Sequence, residues 1–165
     1  MSETSPSAQQ FDGMQFDPPE SFQLVETMLS LRAPARQELA DPRLVQGITK
    51  KQTIVQPNLI VHRRKAKSGA DLESLVGEAC AEFVRSLVRL ENMDKQDFAF
   101  NDENPGFLVM FDFPTKESQT LRQYHAFRLD GDKFTTLTLT VDGATLTDDI
   151  EETYLDSLAS LTPTS

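Results

Sequence analysis

The chain has 165 residues, 38% of them hydrophobic, which suits one domain with a real core and excludes wholesale disorder. Its net charge of -10 sits in one half: residues 1–90 hold 11 acidic and 11 basic side chains, residues 91–165 hold 15 and 5. That balance argues against nucleic acid as a partner, because phosphate contacts need a basic surface.

Met1 to Gln10 lacks the basic and apolar regions of a secretory signal, so the cytoplasm is the expected location. Residues 1–20 are expected to be a mobile N-terminal tail, and residues 21–162 a single domain. Phe11 to Phe16 reads as a short strand, and Pro18-Pro19 breaks what precedes it. Phe22 to Ala33 alternates as a strand, with Val25, Thr27, Leu29 and Leu31 on one side. Pro34 to Gln56 reads as a long connection. Thr53 to Arg64 is a second strand region, with Asn58-Leu59-Ile60-Val61 as its apolar centre. The basic cluster His62-Arg63-Arg64-Lys65 with Lys67 reads as a solvated strand end.

Asp71 to Leu90 is the clearest helix. Leu72, Leu75, Val76, Ala79, Cys80, Phe83, Leu87 and Leu90 recur at spacings of three and four, and Ser68 or Asp71 can cap the start. Cys80 lies on that stripe and is the chain's single cysteine, so it reads as a buried core thiol. Strands follow over Asp97–Asn101 and Phe107–Phe113. A hairpin joins Gln119–Leu129 to Lys133–Val141 across Asp130-Gly131-Asp132. Asp148 opens a last helix with Glu151 three residues on, and Ile150, Tyr154, Leu155, Leu158 and Leu161 form its stripe to Pro163.

The order is strands, helix, four strands, helix. It predicts an α+β fold: a twisted, largely antiparallel sheet with two helices packed on one face. The bulky positions Phe107, Val109, Phe111 and Phe113 would lie under the helices. The opposite side would carry Met110, Tyr124, Ala126, Thr136 and Thr138, either as a solvated face or as a client-binding face.

Catalytic chemistry finds little to stand on. His62 and His125 are far apart, with no HxH or HExxH spacing for a metal. Asp130-Gly131-Asp132 falls short of a calcium loop, and no phosphate loop or nucleophile elbow occurs. No cofactor is therefore expected, and an enzyme is not. A hydrolase built around His125 ranks last.

Pro57-Asn58-Leu59-Ile60-Val61-His62-Arg63 followed by Asp71-Leu72-Glu73-Ser74-Leu75 resembles the strand-then-helix passage of DcrB-related, PsbP-like domains. So do Leu121 to Phe127, Thr136 to Thr140, and the closing helix from Tyr154 to Leu161. The resemblance spans roughly residues 20–162, by element order more than by identity. Signal-less members of that family include effector-associated (Eag) chaperones of type VI secretion. The resemblance therefore implies a cytoplasmic homodimer that shields N-terminal apolar helices of a secreted effector during loading, without stable membrane insertion. The alternative is a binding protein of another kind, such as an immunity protein neutralising a toxin.

Overall fold

The computed structural model describes residues 9–11, 14–16, 26–32 and 56–164. Most of the expected tail and of the Pro34–Gln56 connection lies outside them, and so does Val25. Where one short strand over Phe11–Phe16 is expected, two occur: β1 (Gln9–Phe11) pairs antiparallel with β2 (Met14–Phe16).

Among the described residues the main sheet has six strands: β3 (Glu26–Arg32), β4 (Asn58–Lys65), β5 (Glu91–Ala99), β6 (Pro105–Pro114), β7 (Thr120–Asp130) and β8 (Lys133–Asp142). Their order across the sheet is β3-β4-β8-β7-β6-β5, and every neighbouring pair is antiparallel. Helix α1 (Leu72–Ser86) links β4 to β5, and α2 (Asp148–Ala159) follows β8.

Local chemistry sets the boundaries. The Asp71 carboxylate accepts the Ser74 N–H at 2.9 Å and caps α1. Leu87 is already extended, so α1 ends before the predicted Leu90, and Asn92 takes a φ of 54° at the start of β5. Strand β5 therefore begins at Glu91, well before the expected Asp97, on a charged stretch without apolar alternation. Thr147, not Asp148, caps α2; its hydroxyl accepts the Ile150 N–H at 3.4 Å.

Both faces of the central strands are apolar, so both need cover. On face A, Val109, Phe111, Phe127 and Phe134 pack with Leu75 and Val76 of α1. On face B, Leu108, Tyr124, Ala126, Leu137, Leu139 and Val141 pack with Leu158 of α2. Alternation along β6, β7 and β8 puts these two sets on opposite sides. The two helices thus lie on opposite faces, which corrects the expectation that they share one. The Phe107–Phe113 run, apolar at odd and even positions alike, can only be satisfied from both sides.

Candidate functional site

The residues expected to form one client-binding face do not come together. Met110, Tyr124 and Ala126 belong to face B, whereas Thr136 and Thr138 belong to face A. The turn explains the split. Gly131-Asp132 is a two-residue loop that sets Asp130 opposite Lys133, so Phe127 faces Thr136 and His125 faces Thr138. The threonines therefore share the phenylalanine side. The Asp-Gly turn in the sequence carries that register, and counting back from it locates them correctly.

Tyr124 and Ala126 are also fully buried beneath α2. The Tyr124 hydroxyl donates to Glu151 Oε1 at 2.5 Å, which ties α2 to the sheet. Burial is the main cause that raises the phenol's pKa. Beside it, Arg122 Nε and Nη2 donate to the Asp112 carboxylate at 2.7 and 3.0 Å, and Asn92 adds a third bond at 3.0 Å. The Arg122 bond holds Asp112 below the usual carboxylate range.

His125 is enclosed between Phe83, Phe111 and Phe127. Its Nε2 lies 3.0 Å from Gln123 Oε1, and its Nδ1 lies 3.1 Å from Thr138 Oγ1. Gln123 Nε2 donates to Thr140, which leaves Gln123 Oε1 to accept from His125 and Nδ1 to accept from the Thr138 hydroxyl. Burial pushes the imidazole pKa down to about 3, so the ring is neutral and both nitrogens are engaged. His62 lies elsewhere, on β4, with Nε2 2.7 Å from Glu26 Oε2. Among the described residues no group of three His, Cys, Asp or Glu side chains could hold a metal ion.

Sequence reasoning missed Arg128 entirely. This side chain is 1% exposed and donates to Asp130, Asp102 and the Leu161 carbonyl at 2.6–3.2 Å. Its guanidinium also lies 4.7 Å over the Phe100 ring. It clamps the β5–β6 turn and the segment after α2 to the end of β7. An isolated Arg in an alternating strand gives no hint of that in the sequence.

One accessible apolar surface is at the β3 side; Val84, Val88 and Ile150 are exposed elsewhere. Met28, Leu29 and Leu31 are 59%, 50% and 49% exposed. On face B, Leu29 pairs with Val61 and Leu31 with Leu59, as the alternation predicts for Leu29 and Leu31. Two hollows of about 250 and 280 Å³ lie end to end along this pair, walled on the far side by Tyr154 and Leu158 of α2 and by Leu161 beyond it. Together they outline a trough between the β3–β4 ribbon and α2, mostly apolar in the first hollow and mixed with Thr27, Arg128, Asp130 and Thr135 in the second. Arg63 lines the second hollow without an ion pair among the described residues.

No family model matches the chain, and no curated protein does. Among solved structures it is similar to PA94 from Pseudomonas aeruginosa, a protein of unknown function. The TM-score is 0.67 at 13% sequence identity, over 96% of this chain and 97% of that one. At that identity the likeness is one of fold.

Proposed function

We propose that this chain is a non-catalytic cytoplasmic chaperone or adaptor of PsbP-like fold, which holds an apolar helical segment of a secreted effector for type VI loading. The observation that carries the reading is the trough: Leu29 and Leu31 stand half exposed beside their cross-strand partners Val61 and Leu59 on the same face. A groove of that composition suits the apolar face of a helix. The resemblance of the 57–63 and 71–75 passages to DcrB-related domains supports the same reading. The engaged, neutral His125 supports a role without catalysis.

Leucine side chains buried by a client contribute roughly 1.5–3 kcal/mol each. Leu31→Glu should therefore abolish capture of the client and leave the melting temperature within about two degrees. The measurement is co-purification with mass spectrometry, followed by calorimetric titration with the captured protein's N-terminal segment. Capture of a protein with N-terminal apolar helices, lost in the variant, is expected. Equal affinity in the variant overturns the trough as the site.

A further inference from the structure

His62, Arg63, Arg64 and Lys65 close β4, and three of these four have a partner. His62 Nε2 lies 2.7 Å from Glu26 Oε2, Arg64 lies 5.1 Å over the Phe134 ring, and Lys65 Nζ is 3.6 Å from Asp132 Oδ2. Arg63 is half-buried and has no partner among the described residues. It pairs with Thr27 of β3 and Thr135 of β8, so alternation puts it on face B with Val61, and it lines the second hollow of the trough.

The other charges of that hollow are already matched. Arg128 donates to Asp130, to Asp102 and to the Leu161 carbonyl. Arg32, at the rim of the first hollow, pairs with Asn58 and belongs to face A. The trough is therefore graded. One end is apolar, with Leu59, Leu139, Tyr154 and Leu158; the other offers threonine hydroxyls and one unmatched guanidinium. A guanidinium partly withdrawn from water is complemented by a carboxylate, which it can grip through two parallel hydrogen bonds.

We propose that Arg63 is the receptor for a carboxylate on the client, so that the trough selects an apolar helix bearing an Asp or Glu toward one end. The inference rests on the chaperone reading of the trough and adds a charge and a direction to it. Arg63 stands four residues along β4 from Leu59, roughly 13 Å away. In a helix laid along β4, the position seven residues from the one seated at Leu59 lies on the same face, roughly 10 Å on, within reach of an arginine side chain. The carboxylate also sets the client's direction, because the reversed helix would bury it unpaired against Leu59 and Leu139.

The test uses the full chain and three designed probes, read by fluorescence anisotropy. Each probe is a capped, dye-labelled leucine–alanine helical peptide about five turns long, with serines on its far face. One position, seven residues from the central leucine, carries Glu, Gln or Lys. Wild type should bind the Glu peptide roughly fivefold or more tighter than the Gln peptide, and the preference should shrink as salt is raised. Arg63→Gln should erase the preference and leave affinity for the Gln peptide within about twofold, which also shows that the variant is folded. Arg63→Glu should reverse it in favour of the Lys peptide. Leu31→Glu should weaken all three peptides alike. Equal binding of the three peptides to wild type overturns the carboxylate receptor and leaves the trough standing. A Glu preference that survives Arg63→Gln overturns the role of Arg63. Failure of every peptide to bind wild type, or affinities that Leu31→Glu does not change, overturns the trough reading and this inference with it.

Discussion

Phe83 of α1 lies against His125 of β7, with ring centroids 4.2 Å apart and planes tilted by 35°. Phe111 stacks beside them at 5.2 Å from the histidine. An imidazole in that aromatic setting is neutral when folded, at a pKa pushed down to about 3 by burial. In the unfolded chain it titrates near about 6.5. Between those values the unfolded chain binds a proton that the folded chain does not. Stability is therefore complete above about pH 6.5 and falls as pH is lowered toward 3. The slope should approach about 1.4 kcal/mol per pH unit in that window. Denaturant titrations across the acid range below neutrality measure it. His125→Phe, which keeps the ring stack, should flatten the slope in the same range; an unaltered slope would assign the acid sensitivity to another group.

Removing the Arg128 clamp should be costly. The guanidinium is buried and satisfies two carboxylates and a backbone carbonyl at once. Arg128→Ala leaves those acceptors facing one another without a cation. We expect a loss of about 3–5 kcal/mol. Thermal melts of the variant check this, and a loss under about 1 kcal/mol would show that water replaces the guanidinium without penalty.

Gly106 tolerates no side chain. A Cβ there would lie 2.4 Å from the Phe127 carbonyl oxygen and 2.5 Å from the Phe100 ring. Gly106→Ala must push β6 away from β7 or displace Phe100. Overpacking of this kind typically costs about 1–3 kcal/mol. Urea unfolding should show a lowered midpoint at unchanged m-value.

Thr138→Glu tests the split of the expected client face. Had Thr138 faced open solvent, a carboxylate would be nearly neutral for stability. In the structure its hydroxyl meets His125 Nδ1 on face A, and it is half-buried. The variant removes that donor and sets a charge beside a buried neutral ring, so about 1–3 kcal/mol should be lost. A melting temperature equal to wild type would mean that the threonine ladder is wet.

The architecture is legible in the sequence because the periodicities are strong. The α1 stripe, the β7–β8 hairpin and the α2 stripe each announce themselves by spacing. Strand β5 does not, because Glu91-Asn92-Met93-Asp94-Lys95 is an edge segment whose charges serve its exposure rather than a core. The client face fails for a different reason. Grouping Thr136 and Thr138 with Tyr124 judges faces by side-chain character, whereas the two-residue turn fixes them by register. Arg128 and its partners are separated by up to 33 residues, so no local window contains the clamp.

Strand order also sets which parts of the molecule come apart together. Strands β5 to β8 form a meander whose pairings close through short turns, whereas β4 reaches β8 only by joining Asn58 to Thr140. Loop closure over that span should make the β4–β8 ladder a late step of assembly and an early one of partial opening. Amides of β6 and β7 should exchange with solvent deuterium only through global unfolding, while those of β3 and β4 exchange sooner, as a unit. The half of the sheet that carries the trough is thus the half whose local stability a bound partner can raise most.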